Sequence, residues 1–154
     1  MDDTKNPRHV KVEGHWFIKL YGPDGVLKQQ HESKNVITTV GLDFLASFLN
    51  SAAAAASTFT CRYIGIGTDA TSESAADTTL GVEAARQTGT ASYVSNAIYQ
   101  ATATFASGSG TGAIVEYGLF SSNTNGTMFS RLTDSVINKG ANDTLVVTTK
   151  VTLT

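Results

Sequence analysis

The sequence predicts a mainly β protein, an antiparallel β-sandwich of jelly-roll-like topology with one short inserted helix. Three observations predict this class. Roughly eight short runs rich in β-branched and aromatic residues follow one another at regular turn spacing. Thr, Ser, Ala and Gly dominate the remainder, which suits strands with small packed side chains. Helical periodicity occurs in only one segment, early in the chain.

Length and composition limit the organisation and the classes of partner. The length of 154 residues is typical of one domain, which we expect over residues 15–154, after a polar amino-terminal arm over residues 1–14. Charged residues make up only 16% and the net charge is -2, so we expect no nucleic-acid partner. No apolar stretch approaches the ~20 residues that span a bilayer, and the polar start does not resemble a secretory signal. We therefore expect a soluble, cytoplasmically made protein without a membrane partner.

The amino-terminal arm allows two interpretations. It contains too little apolar surface to offset the entropy lost on ordering, which is typical of a frayed terminus. Alternatively, the arm orders against another chain through charges of both signs. In that interpretation the candidate partner contacts are Asp2, Asp3, Lys5, Arg8 and Lys11.

A β-hairpin follows the arm. Trp16, Ile18 and Leu20 alternate with more polar residues along the first strand. The turn Gly22–Gly25 contains a proline that pre-sets the backbone angle, and Val26–Gln30 returns as the partner strand.

The single predicted helix follows a β-branched run over Asn35–Thr39. Its apolar stripe consists of Leu42, Leu45, Phe48 and Leu49. Asp43 lies in the predicted first turn, where a negative charge is favourable. We interpret the stripe as core packing and expect the helix to end within Ala52–Ala56.

The second half of the chain is predicted to be strands and turns. Ala97–Phe105 alternates as a half-buried strand, and Ile114–Phe120 with Met128–Leu132 forms a hairpin whose loop contains Asn-Gly. The last strand has the strictest period of two. Its predicted inner face consists of Leu145, Val147, Thr149, Val151 and Leu153.

A long polar loop interrupts this β pattern. The short apolar strand Tyr63–Gly67 is followed by about a dozen small or acidic residues, and Leu80 marks the return to the core. Leu80, Glu83 and Arg86 have the spacing of a short helical turn. Loops of this length are usually functional or ordered by a neighbour. Because this one lacks His, Cys, Lys and aromatic residues, it suits contact rather than chemistry.

Four charged residues lie in or beside apolar segments: Glu83, Arg86, Glu116 and Arg131. Burying a lone charge costs several kcal/mol, so we expect these residues to form structural ion pairs. The alternative, a pair of carboxylates for acid/base catalysis, requires a polar cleft that the sequence does not indicate.

Other chemical sites have weaker support. His9, His15 and His31 form a metal site only if the arm folds back onto the hairpin, and no carboxylate pattern accompanies them. Asp69, Glu73 and Asp77 have regular spacing but lack the ligand pattern of a calcium loop. The single cysteine, Cys61, excludes an internal disulfide. We expect no enzymatic activity, no metal and no cofactor.

Five segments together resemble one protein family. They are Asn35–Leu42 (NVITTVGL), Tyr63–Thr68 (YIGIGT), Leu80–Arg86 (LGVEAAR), Glu116–Phe120 (EYGLF) and Met128–Arg131 (MFSR). In this order they resemble the virion structural proteins of tailed bacteriophages, described as tail, fibre or capsid-associated proteins. The resemblance extends from about residue 15 to the carboxyl terminus, with Tyr117 as a departure where a small residue is common.

The resemblance implies a non-enzymatic role in the virion, a homotrimer, and major capsid or tail proteins as partners. A capsid decoration (cement) protein that stabilises the head shell is the leading expectation, because the domain is compact and has no fibre-shaft repeats. A tail-fibre, collar or baseplate component is the alternative. A carbohydrate-binding module is less favoured, since Trp16 is the only Trp and the other aromatics follow core patterns.

Overall fold

The computed structural model describes residues 10–50, 60–95 and 97–154. Within these ranges the chain forms nine strands and one helix. In chain order they are β1 (Val12–Tyr21), β2 (Leu27–Ile37), α1 (Thr39–Asn50), β3 (Tyr63–Gly67), β4 (Glu83–Thr88), β5 (Thr90–Ser95), β6 (Ile98–Phe105), β7 (Gly112–Phe120), β8 (Met128–Lys139) and β9 (Thr144–Leu153). The predictions for Asp2, Asp3, Lys5, Arg8 and His9, and for the helix end within Ala52–Ala56, lie outside the described residues.

The nine strands form one antiparallel sheet that is nearly closed into a barrel. The strand order is β4-β3-β7-β8-β2-β1-β9-β6-β5. The two end strands, β4 and β5, are separated in sequence only by Gly89, whose N–H donates to the carbonyl of Arg62 at 2.7 Å. A Cβ at Gly89 would lie 2.8 Å from that carbonyl oxygen and 3.0 Å from the oxygen of Thr102. Gly89 therefore allows one bent segment to join both ends of the sheet.

The predicted first hairpin is confirmed, and it extends further than expected. β1 pairs with β2 on one side and with β9 on the other. Before β1, the N–H of Lys11 donates to the carbonyl of Thr154 at 2.6 Å, and the N–H of Thr154 donates back at 2.9 Å. Strand β1 therefore begins at Val12, within the range 1–14 expected for the arm.

The contact between β2 and β8 is different, because backbone pairing is limited to Val36 and Ile37. Further along β2, side chains connect the two strands. Gln29 donates to the carbonyl of Val136 at 2.9 Å, and Ser33 donates to Asp134 at 2.5 Å. β2 therefore joins two groups of strands that separate along most of its length.

The interior of the barrel is apolar and follows the predicted alternation on β1, β6 and β9. Trp16 and Tyr117 are fully buried, with ring centroids 6.1 Å apart, so Tyr117 fills the interior. On β9, Leu145, Val147, Thr149 and Val151 are buried. Leu153 is 36% exposed, which corrects its predicted place on the inner face.

The helix begins earlier than predicted, at Thr39. The hydroxyl of Thr38 accepts the N–H of Gly41 at 3.0 Å, as an N-cap residue does. Asp43 consequently lies beyond the first turn of the helix. Leu42 is 44% exposed, so the predicted apolar stripe of the helix does not lie wholly in the core. Phe44 and Leu45 are the residues that pack against the core. No helix in the described ranges has the length and apolar character needed to cross a membrane.

Candidate functional site

The long polar loop, residues 68–82, is bonded to one buried carboxylate. Glu116 lies on β7 and is fully buried. One of its oxygens accepts the backbone N–H groups of Val82 at 2.8 Å and Asp69 at 3.2 Å. The other accepts the N–H of Gly81 at 2.9 Å and a guanidinium N–H of Arg131 at 2.9 Å. Four donors from both ends of the loop and from β8 therefore fix this carboxylate.

Arg131 extends the network into the middle of the loop. Its side chain is 3% exposed and donates to the Asp77 carboxylate at 2.8 Å and to the Thr71 carbonyl at 3.1 Å. Burial alone would lower the pKa of Arg131, but hydrogen bonds and charge from Asp77 and Glu116 raise it instead. Arg131 is therefore a fixed cation shared by two carboxylates.

The acidic residues of the loop are bonded within the protein. Asp69 accepts the N–H of Thr71 at 3.0 Å and its hydroxyl at 2.8 Å, and these bonds lower the pKa of Asp69. Asp77 also accepts the N–H of Ser74 at 2.8 Å, while Glu73 accepts the N–H of Thr133 at 3.2 Å. Within the described ranges, no group of three or more His, Cys, Asp or Glu side chains is arranged to hold a metal ion. The three acids thus act as hydrogen-bond acceptors that order the loop.

Leu80 fastens the end of the loop onto the sheet. It is 6% exposed and packs with Phe120 and Met128 in a small cluster separate from the main core. Gly65 and Gly118 provide the space. A Cβ at Gly118 would lie 2.7 Å from the Phe120 ring, and one at Gly65 would lie 3.1 Å from Leu80. The absence of a side chain at these two glycines, in adjacent strands, therefore leaves room for the side chains of Leu80 and Phe120.

Glu83 and Arg86 lie on strand β4, so the predicted helical turn is wrong. The register shifts between Ile66 and Gly67, and Ala84 becomes the extra residue of a β-bulge. This bulge changes the side-chain alternation and brings residues three apart to the same side. Two guanidinium nitrogens of Arg86 donate to the Glu83 carboxylate at 2.8 and 2.6 Å.

Arg86 also orders the turn between β7 and β8. Its guanidinium carbon lies 3.5 Å from the centroid of the Phe120 ring, a cation–π arrangement. The remaining nitrogen donates to the carbonyls of Ser122 at 3.0 Å and Asn125 at 2.8 Å. The predicted Asn-Gly turn is present, with positive φ angles at Asn125 and Gly126.

The start of α1 completes the site. The N–H of Thr39 donates to the loop carbonyl of Ala75 at 2.8 Å, and the hydroxyl of Thr38 donates to the carbonyl of Met128. Gly41 is required here, since a Cβ would lie 2.3 Å from the Phe129 carbonyl oxygen. All five segments that carry the bacteriophage resemblance therefore meet around loop 68–82. The sequence does not predict which backbone N–H groups donate to this site, because any residue type can supply one. It does indicate Thr38 as a helix N-cap, since a threonine directly before a helix is a common cap.

Other predicted residues lie apart from this site. His15 lies on β1, 3.3 Å from Glu32, and His31 lies on β2, 3.8 Å from Asp134. Lys11 forms an exposed ion pair with Glu13 at 2.8 Å. His15 and His31 therefore lie beside carboxylates of the sheet and not beside the loop.

A second concavity lies between α1 and the barrel. This apolar pocket of about 290 Å³ is lined by residues that include Phe44, Leu45, Cys61, Tyr99 and Phe129. Burial raises the pKa of the Cys61 thiol to about 12, so the thiol is neutral at pH 7. The nucleophilic thiolate is therefore a very minor form at this position.

The hydrogen bonds that Glu116 accepts determine what the loop site can do chemically. Every oxygen of Glu116 has two donors, and loop and sheet cover the carboxylate. Such a group holds backbone in place and has no vacant acceptor for a substrate proton.

A scan against models of known protein families found no match, and neither the curated proteins nor the solved structures contained a significant match.

Proposed function

We propose that this chain is a bacteriophage virion structural protein, and specifically a capsid decoration protein that stabilises the head shell. One observation carries the proposal: a polar loop is hydrogen-bonded at both ends and in its middle to a buried ion pair of the barrel. A surface ordered before binding loses less conformational entropy when a partner docks. The segments that hold the loop are also the segments that resemble virion proteins, which supports a shared structural role.

The proposal includes the finer fold, a jelly-roll-like sandwich. Two groups of strands, joined at β2 and at Gly89, suit two packed antiparallel sheets. It also includes a homotrimer located in the virion, without enzymatic activity and without a cofactor. A tail-fibre, collar or baseplate location is the alternative. Electron microscopy of particles labelled with antibody to this protein separates a head from a tail location.

A particle-binding experiment tests the contact surface. Ser72 and Thr78 are exposed in the loop, while Asn123 and Thr124 are exposed in the β7–β8 turn. We expect the double variant Ser72→Arg/Thr78→Arg to lose binding to particles that lack the protein. The matched control Asn123→Arg/Thr124→Arg should bind as the wild type does. Equal binding by both variants would contradict the loop as a contact surface.

The arm is tested by removing residues 1–9, which leaves the pairing of Lys11 with Thr154 intact. The truncated protein should keep its melting temperature and lose particle binding. Sedimentation of the full chain tests the trimer, and a monomer at micromolar concentration would contradict it. Turnover of host polysaccharide that Glu116→Gln abolishes would replace the structural proposal with an enzymatic one.

A further inference from the structure

The outward face of β1 and its neighbours carries a row formed by a histidine between two lysines. The strand register places His15 directly opposite Lys34 of β2 on one side and Lys150 of β9 on the other. Adjacent strands are about 4.8 Å apart, so the two lysines lie about 10 Å apart with His15 between them. The register therefore places two lysine charges on either side of one imidazole ring, on the outward face of the sheet.

Phe17 and Lys19 extend this row into a patch. Lys150 lies 5.0 Å from the centroid of the half-buried Phe17 ring, and the His15 ring lies 4.9 Å from it. Lys19 follows two residues along β1. We define the β1 patch as His15, Phe17, Lys19, Lys34 and Lys150.

Few carboxylates neutralise the β1 patch. Glu32, opposite Phe17, lies 3.3 Å from His15, and Glu13 forms its ion pair with Lys11. Within the described part of the chain, Lys19, Lys34 and Lys150 have no carboxylate at ion-pair distance. The hydrogen bond and charge of Lys11, with a smaller contribution from the charge of Lys34, lower the pKa of Glu13. In a chain with only 16% charged residues, three lysines on one outward face form a positive surface, and Lys150 lies over the Phe17 ring.

We propose that the β1 patch is a docking surface for an acidic protein segment. The lysines provide charge complementarity, and the Phe17 ring provides apolar contact at the centre. The three described arginines lie on or beside β3, β4 and β8, away from the patch. Binding to a nucleic acid draws most of its affinity from many phosphate contacts on a basic surface, whereas this chain has a formal net charge of -2. This argument favours an acidic protein segment over a nucleic acid.

This inference rests on the proposed function for the identity of the partner, an acidic surface segment of a virion protein. The patch lies on the strand four places from β3 in the sheet order, so it is distinct from the loop site. Decoration would then use two contacts, the rigid loop and the β1 patch.

The test measures the binding of fluorescein-labelled decaglutamate to the full chain by fluorescence anisotropy. Arg62→Glu is the matched control for Lys150→Glu. Each change reverses one charge, and each cation lies over an aromatic ring, Arg62 at 5.8 Å from Tyr63. We expect Lys150→Glu to weaken binding about tenfold and Arg62→Glu less than about twofold. Wild-type binding should weaken between about 10 mM and about 150 mM salt.

Lys34→Gln keeps the test decisive if Lys150→Glu does not fold, and it should also weaken binding. The absence of decaglutamate binding at low salt, or an equal loss in Arg62→Glu, would overturn the proposal. Tighter binding of a DNA duplex, lost in Lys150→Glu, would overturn it in favour of a nucleic-acid partner. If Lys150→Glu loses decaglutamate but still binds particles, the docking role in the virion is overturned while the decoration function stands.

Discussion

Two regions of the barrel share one apolar core but differ in the interactions that are added to it. Around β1, β9 and β6, stability comes from apolar side chains that alternate into the interior, such as Ile18, Val147 and Phe105. Around β3, β7 and β8, a buried ion network joins the sheet to a loop of small polar residues. Both regions bury apolar side chains, and the second also buries the Glu116 carboxylate, which Arg131 and three backbone amides satisfy.

The difference shows why a polar loop can be rigid. Residues 68–82 contain little apolar surface except Leu80, so apolar burial alone would not order them. Glu116 instead supplies acceptors at both ends of the loop, and Arg131 supplies donors in its middle. The β1 region needs no comparable buried ion pair, because both neighbouring strands pair with β1 through backbone hydrogen bonds along its length.

The largest expected effect comes from removing the carboxylate. Glu116→Ala leaves the amides of Asp69, Gly81 and Val82 without their acceptor and Arg131 without one partner. Breaking a buried pair in this way should lower the free energy of unfolding by about 3–5 kcal/mol. Urea denaturation measures this loss, and faster proteolysis within residues 68–82 should accompany it.

Two further variants separate the roles of the amides and the arginine. Glu116→Gln keeps one side-chain acceptor oxygen and should recover part of the lost stability. Arg131→Met keeps the amides bonded to Glu116 but removes its cation. A Glu116→Ala protein within about 0.5 kcal/mol of the wild type would show that the network does not hold the loop.

The apolar region is tested on β9, where the structure divides two residues that the sequence groups together. Leu145 is fully buried, whereas Leu153 is 36% exposed. Leu145→Ala should therefore cost about 2–5 kcal/mol, the range for large-to-small core substitutions. Leu153→Ala should cost less than half as much in the same thermal and urea measurements. Equal costs would mean that the strict alternation, and not the observed burial, describes β9.

The sequence predicts the fold best where apolar and polar residues alternate regularly along a strand. β1, β6 and β9 each keep a period of two, so the sequence predicts their inner faces, apart from Leu153, which is paired but exposed. The sequence predicts too late a start for α1, because Thr39 and Val40 are β-branched and favour a strand. The contacts of Thr38 and Gly41 with β8 override that preference.

The sequence does not predict β4 and β5 as strands, because neither has the alternation of apolar and polar residues that marks a strand. The bulge at Ala84 breaks the alternation, and Ala91–Val94 is exposed at every position. At the loop site, Glu116 and Arg131 could be singled out as charges within apolar segments. Their backbone partners could not, since an amide donor has no residue type to reveal it. The bacteriophage role and the trimer remain predictions.

The smallest expected effect is the response to acid, which compares one carboxylate from each region. Burial opposes ionisation of Asp77, but hydrogen bonds from Arg131 and the Ser74 amide outweigh it, and its pKa lies below the usual value. Asp143 lies in the β8–β9 turn, where hydrogen bonds from Lys28 and the Gly140 amide lower its pKa. Because both folded-state pKa values are depressed, their stabilisation is fully present above the unfolded aspartate pKa of about 3.9. It is lost as pH falls through the folded-state values.

Urea denaturation between about pH 3 and pH 6 should therefore show wild-type stability falling at the acid end. Asp77→Asn and Asp143→Asn should each flatten that fall, whatever they cost at neutral pH, since asparagine does not titrate. The slope, and not the absolute stability, is the informative quantity, because Asp77→Asn also breaks the contact with Arg131. If Asp77→Asn leaves the slope unchanged while Asp143→Asn flattens it, the acid response belongs to the β8–β9 turn. The loop network would then be insensitive to acid, and its order at low pH would depend on Glu116 and the backbone amides alone.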